Sequence, residues 1–261
     1  MPNILITNDD GVRAPGLLAL KLALEPLGRV YVLAPERNWS AAGHARTMHD
    51  PLRVSTLRLE DGSEAFATSG GPADCVALAA LGVLDVTIDM VVAGINNGHN
   101  MGNDVTYSGT VACAIEATLS GIPGIAVSTA LPPLAKVDLE IARALAGTVA
   151  RSISQVVLAR GLPRATLLNV NVPAVAPEQL RGVEITRLGR RVYDEQLVQR
   201  DDPYGRPYYW LGGALPSDTL DDGTDVGAVM NDFVSVTPIN LDLTDYNFLD
   251  ELRLWHLGEQ A

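Results

Sequence analysis

The sequence is short of aromatic residues, basic residues and cysteine. Phe, Trp and Tyr make up 5% of 261 residues, so Val, Leu, Ile and Ala must fill the core that a 47% hydrophobic content allows. Lys and Arg number 19 against 31 Asp and Glu, a formal net charge of −12. That balance argues against a long nucleic acid as partner, because a phosphate backbone demands a basic footprint. A small anion is still admissible where a metal ion or a group of backbone N–H donors reverses the field at one spot. The two cysteines, Cys75 and Cys113, each sit in an apolar helical pattern. They are expected as small buried hydrophobes before any disulfide or metal role. Long hydrophobic runs are missing too. The longest uncharged stretch, Ala117 to Ala135, is broken by Pro123, Pro132 and Pro133 and is no membrane span. The chain opens on an apolar run without a basic leader, so a cytoplasmic location is expected.

Catalytic signatures of several kinds are also absent. There is no GxxxxGK followed by Ser or Thr, no GxGxxG after a strand, no HExxH and no GxSxG. His44, His49, His99 and His256 show no common ligand spacing. His44 and His99 fall in loops near the polar segments described below, as surface or supporting groups.

What is present is an alternation of short apolar runs with helical periodicity. Asn3–Thr7, Arg29–Pro35, Phe66–Ser69, Met90–Ile95, Gly124–Thr129 and Ala165–Val172 read as strands. Between them the pattern predicts helices from Pro15 (Leu17, Leu18, Leu22, Leu27, stopped at Gly28), from Pro72 to Leu81, over Thr110–Ser120 and over Val137–Arg160. Buried strands alternating with helices imply an α/β fold: a Rossmann-like, doubly wound, mostly parallel sheet in a three-layer sandwich. After Pro173 the character changes. Val183–Leu188 and Tyr208–Leu211 read as extended segments around the turn-rich Asp201–Pro207, a C-terminal hairpin carrying Tyr204, Tyr208, Tyr209 and Trp210. Asp232–Pro238 reads as a further strand and Asp245–Leu257 as a terminal helix. There is no internal repeat, and residues 1–261 are read as one domain with a projecting extension over 183–229.

In an open parallel sheet, ligands bind beyond the carboxyl ends of the strands. The first strand runs into Asn8-Asp9-Asp10-Gly11, and the second into a loop containing Asn38, Ser40 and Ala41. The Met90 strand runs into Asn96-Asn97-Gly98, and Tyr107-Ser108-Gly109-Thr110 opens a helix. One of the two acids could cap the next helix. Capping does not explain both, since like charges about 4 Å apart repel by roughly 1–4 kcal/mol. A hard divalent cation relieves that repulsion, with the Asn96 amide oxygen and the Ser40 hydroxyl as further candidate ligands. Taken singly, each of those is also an ordinary turn or cap residue. Ser108-Gly109-Thr110 is a candidate anion site at a helix N-terminus, or a plain N-cap.

The segments Ile4–Gly11, Ala34–His44, Gly70–Val76, Ala93–Ala117 and Ser235–Asp245 resemble, in order and over nearly the whole chain, the SurE (survival protein E) family of 5′-nucleotidases. The resemblance implies one divalent cation per subunit, Mg2+ or Mn2+, held by Asp9, Asp10, Ser40 and Asn96. It implies catalysis by Asp9, Asp10 and Asn96, and substrate binding by Asn8, Ser108, Gly109 and Thr110. The implied reaction is hydrolysis of nucleoside monophosphates, with 3′-nucleotides and short polyphosphate as further substrates to test. Homodimers or homotetramers are implied as well. Family members often carry Gly after the ligand serine, where this chain has Ala41. A non-catalytic metal- and nucleotide-binding regulator is the alternative. A receiver-like signalling module fits less well, because the position after the central strand is Asn96 and not a phosphoacceptor Asp.

Overall fold

The alternation in the sequence becomes a wound sheet in the structure, a computed structural model that describes all residues except 132–133, 193–194, 214–216, 219–220, 256 and 258–261. The first half contains β1 (Asn3–Thr7), α1 (Pro15–Leu24), β2 (Arg29–Pro35), β3 (Val54–Arg58), β4 (Glu64–Thr68), α2 (Pro72–Ala80) and β5 (Met90–Asn97). Then come α3 (Gly109–Leu119), β6 (Gly124–Thr129), α4 (Leu139–Arg160), β7 (Thr166–Val172) and β8 (Gly182–Ile185). The late excursion holds β9 (Arg191–Val192), β10 (Glu195–Asp201), β11 (Pro207–Gly213), β12 (Ser217–Asp218) and α5 (Asp225–Met230). The chain returns to the sheet as β13 (Phe233–Asn240) and finishes in α6 (Tyr246–Arg253).

A nine-stranded sheet has the order β3-β4-β2-β1-β5-β6-β7-β13-β8. From β4 to β7 all neighbours are parallel, while β3 and β13 run antiparallel to β4 and β7. Alternation along β1 decides which helices cover which face. Ile4 and Ile6 pack with Leu17, Leu20 and Leu24 of α1 and with Leu145, Ala146 and Val149 of α4. Leu5 points the other way, onto Cys75, Val76 and Cys113 of α2 and α3. Three layers result. The winding goes outward from β1 to β2 and β4, then restarts at β5 on the other side of β1. The β1/β5 boundary is therefore the switch point, where ligands of such sheets sit.

Several expectations need correction. The helix from Pro15 ends at Leu24, and Leu22, placed on its buried stripe, is 52% exposed; Leu17, Leu20 and Leu24 make that stripe. The strand expected over Phe66–Ser69 is Glu64–Thr68, and the final helix stops at Arg253 rather than Leu257. Strand β3 was not expected at all. It is an edge strand of mostly exposed residues, so it carries no apolar alternation to read. The hairpin is present, but its first arm is β10, paired with β11 from Glu195–Gly213 to Asp201–Pro207. The expected arm Val183–Leu188 instead supplies β8 at the edge of the main sheet, where Val183 and Ile185 pair with Val234 and Val236. Among the described residues no helix is long and apolar enough to cross a membrane.

Candidate active site

Beyond β1 the chain makes a tight turn that Asn8 closes with its own side chain. Its Nδ2 donates to the Gly11 carbonyl and its Oδ1 accepts from the Gly11 N–H, both at 3.1 Å. Gly11 has φ +104°, a conformation that glycine adopts without strain. Asn8 is fully buried, so its amide shapes the loop. The capping role considered for one acid is absent: α1 starts after Ala14 with no side-chain cap, and Pro15 removes an N–H that would need one.

The two adjacent carboxylates are held from opposite faces of the sheet. Asp9 is buried against the start of α3, where its Oδ1 accepts from the Thr110 hydroxyl at 2.6 Å. The Gly109 N–H also favours its ionised form. A Cβ on Gly109 would lie 2.5 Å from the Asp9 Cβ, so the close approach this glycine permits is that of Asp9. Ser108 is the N-cap of α3, its Oγ accepting from the Val111 N–H at 3.1 Å. Both hydroxyls of the Ser108–Thr110 turn are thus engaged within the protein.

Asp10 turns toward the other side. Its Oδ1 accepts from Asn38 Nδ2 at 3.3 Å and its Oδ2 from Asn97 Nδ2 at 3.4 Å. Asn97 in turn accepts from Arg143 Nη2 at 3.1 Å, on α4. Asn38 has a second task, since its Oδ1 accepts from the Ser40 N–H at 2.8 Å. The Trp39 N–H donates to the Asp9 carbonyl at 2.7 Å, which draws the exposed Ser40 segment against the end of β1. Asn96 lies at the end of β5, past a register shift between Ala93 and Asn96 that re-aims the strand. Its Nδ2 donates to the Gly98 carbonyl at 2.8 Å, which turns Oδ1 away as the acceptor end of the amide.

Burial raises both carboxyls above the usual carboxylate range. For Asp9 the charge of Asp10 adds to that effect, while Thr110 opposes it. For Asp10 the Asn97 N–H, Arg143 and Asn38 work in the opposite direction. Two acids that resist ionisation in each other's presence form an environment that a cation stabilises. Among the described residues no group of three or more His, Cys, Asp or Glu could hold a metal ion. A cation here would rest on two carboxylates completed by neutral oxygens, and the Asn96 Oδ1 and Ser40 hydroxyl suit that set. Such all-oxygen donors fit a hard divalent ion.

The histidines serve elsewhere. His44 Nε2 is 2.9 Å from Glu116 of α3, and His99 Nε2 donates to the Val172 carbonyl at 3.0 Å. His49 is exposed and His256 lies outside the described residues. Cys75 and Cys113 are free, buried thiols whose pKa burial drives upward. Sequence reasoning missed the parts played by Asn38, Asn97 and Arg143. The polar loops containing Asn38 and Asn97 were a signal; Arg143, a cation on a helix face, offered none.

Residues 4–195 match the family model described as "Survival protein SurE". The chain is 52% identical over 252 residues to a protein of Chloroflexus aggregans named "5′-nucleotidase SurE", covering 97% of this chain and 98% of that one. It is 49% identical over 256 residues to a protein of the same name from Geobacter sulfurreducens, covering 98% and 94% respectively. The crystal structure of the Sure protein from Aquifex aeolicus superposes with a TM-score of 0.82 at 40% identity, over 97% of this chain and 99% of that chain.

Proposed function

The chain belongs to the SurE family, and from that premise we propose that it is a divalent-metal-dependent 5′-nucleotidase. It would convert a nucleoside monophosphate and water into a nucleoside and inorganic phosphate. The observation that carries this reading is the pair Asp9 and Asp10 at the β1/β5 switch point, adjacent in sequence and held from two sides. In this proposal one Mg2+ or Mn2+ per subunit is held by Asp9, Asp10, Ser40 and Asn96. When bound, such an ion neutralises phosphate charge and lowers the pKa of a water molecule.

The chain's own groups then do the following. Thr110 and Gly109 fix Asp9, and Asn38 and Asn97 fix Asp10, so that neither carboxylate must reorganise as charge develops. One carboxylate of the pair orients the attacking water or accepts its proton. Asn96, whose Nδ2 is tied to the Gly98 carbonyl, would offer its amide oxygen to the same ion, and Asn8 keeps the Asp9–Asp10 turn in shape. The phosphate meets the start of α3 through first-turn N–H groups not taken by Asp9 and Ser108. A homodimer or homotetramer is also part of the reading, supported by the exposed aromatic side chains of the hairpin within 183–229. So is a reducing, cytoplasmic setting, which suits two free cysteines.

Phosphate release from a panel of 5′- and 3′-nucleotides and short polyphosphate tests the proposal, with EDTA removal and re-addition of Mg2+ or Mn2+. Turnover of 5′-nucleotides that vanishes in EDTA and returns with metal is the expected result. Nucleotide binding without turnover under any metal would favour a regulatory binder instead.

A further inference from the structure

Asp9 has a helix N-terminus to hold it, whereas the side chains that donate to Asp10 are two amides, Asn38 and Asn97. One of those amides has a backer. Arg143 points its Nε and Nη2 at Asn97 Oδ1, at 3.4 and 3.1 Å, and Asn97 points its Nδ2 at Asp10 Oδ2, at 3.4 Å. An asparagine amide offers an acceptor at one end and donors at the other. With a guanidinium on one side and a carboxylate on the other, a single orientation satisfies both neighbours. The flipped amide would set oxygen against carboxylate and NH2 against guanidinium. Arg143 is half-buried, and its stem lines a groove between α1 and α4 with Leu18, Leu22 and Gly147. Its charge is also near enough to Asp10 to favour the ionised carboxylate.

We propose that Arg143 is a positioning residue for the hydrolytic site: by holding the Asn97 amide in one orientation, it fixes the direction of the Asp10 carboxylate. This rests on the reading of Asp10 as part of the active site. Arg143 reaches Asp10 from α4, the layer opposite to α3, so each acid of the pair is secured by a different helix. The role requires a planar donor with two N–H groups facing one oxygen, which lysine cannot reproduce.

Arg143→Met tests the idea, because methionine keeps an apolar stem in the groove while removing the donors. Outer partners of metal-binding side chains typically contribute about 10–100-fold in affinity or activity. Mn2+ affinity measured by calorimetry should therefore fall by about tenfold or more, and kcat likewise, with KM for p-nitrophenyl phosphate nearly unchanged. Arg143→Lys should recover only part of either loss. In an Asn97→Ala background, Arg143→Met should cost almost nothing further, since the two act as one unit. Unchanged Mn2+ affinity and kcat in Arg143→Met would overturn the proposal. So would an equal loss in the Asn97→Ala background, or a rise confined to KM, because either would mean that Arg143 acts directly on substrate. If Arg143→Met fails to fold by circular dichroism, Asn97→Ala with Arg143→Lys decides on the same readouts. Asp10→Asn separates the two levels of inference. Normal metal binding and turnover in that variant would sink the site itself, whereas a dead Asp10→Asn beside a fully active Arg143→Met would sink the positioning role alone.

Discussion

The edge of the sheet around β1 and β5 and the excursion around β10 and β11 use their side chains in opposite ways. At the edge the apolar residues are inside and polar groups are tied to one another, as with Asp9 on Thr110 and Asp10 on Asn97 and Asn38. In the excursion the hairpin forms a two-stranded sheet of its own among the described residues, and its large side chains face outward: Tyr204 is 85% exposed, Trp210 64% and Leu211 91%. Helix α6 is similar, with no buried residue and with Phe248 and Trp255 in edge-to-face contact on its surface. The two acids of the edge find their hydrogen-bond partners within one chain. The excursion leaves large apolar side chains uncovered within one chain, and patches of that kind commonly mark interfaces, which is why an oligomer is part of the proposed function. Damage to one region should therefore leave the property of the other intact.

The largest effect belongs to the edge. Asp9→Asn and Asp10→Asn are each expected to lower phosphate release by about a thousandfold, on the scale of losing a preorganised charged group. Gly109→Val should act in the same direction, because its side chain collides with the Asp9 carboxylate. The metal-free Asp variants should melt no lower than the parent, since like-charge repulsion between buried Asp9 and half-buried Asp10 is relieved. Light scattering should report the parent's oligomeric mass in all three. A change of mass would mean that the two regions are not separate.

The converse prediction concerns the hairpin. Trp210→Ser together with Leu211→Ser is expected to reduce the mass toward that of one 27.7 kDa chain. A tryptophan at the centre of an interface typically contributes about 2 kcal/mol or more. Mn2+ binding should be unaffected. Unchanged mass with a raised KM would instead make the hairpin a cover over its own site.

This division was partly visible in the sequence. Val/Ile-rich strands with polar, glycine-containing ends exposed the sheet, its switch point and the Asp9–Asp10 pair, because strand burial and chain reversal leave local marks. The site's internal wiring left none. That Thr110 serves Asp9 and that Arg143 backs Asn97 are consequences of which layers meet at the β1/β5 boundary. Those pairs are separated by 101 and 46 residues for Thr110–Asp9 and Arg143–Asn97, beyond the reach of any periodicity. Strand β3 escaped for a different reason: an exposed edge strand has no buried face to imprint.

His99 offers a pH test at the border of the edge region. Its Nε2 donates to the Val172 carbonyl, its Nδ1 is buried without a partner, and burial lowers its pKa from 6.5 to about 4. The folded state thus binds a proton less readily than the unfolded one. Its contribution to stability is intact above pH 6.5 and is lost progressively as pH falls from 6.5 to about 4, up to about 3 kcal/mol in all. Denaturant melts of His99→Gln should show a flatter decline across that window than the parent. Parallel slopes would mean that His99 does not carry the acid sensitivity.

The smallest effect is expected beside Ser40. Ala41 has φ +60°, in the left-handed region where a Cβ is crowded. Ser40 itself is anchored on the side of its N–H by Asn38 and Trp39 is anchored to the Asp9 carbonyl, so the loop is held on the near side of Ala41. On the far side the Gly43 N–H donates to the Tyr107 carbonyl at 3.0 Å. Between two such anchors Ala41 cannot relax, and the strain is expected to stay in the folded state. Ala41→Gly removes the crowding but also loosens the unfolded chain, so the net gain should be only about 1 kcal/mol or less. For a chain of this size that corresponds to a rise in Tm of about 2 °C. Because the anchors on both sides survive, Mn2+ affinity should change little. A lower Tm with weaker Mn2+ binding would show instead that the alanine stiffens the loop and helps to keep Ser40 in place.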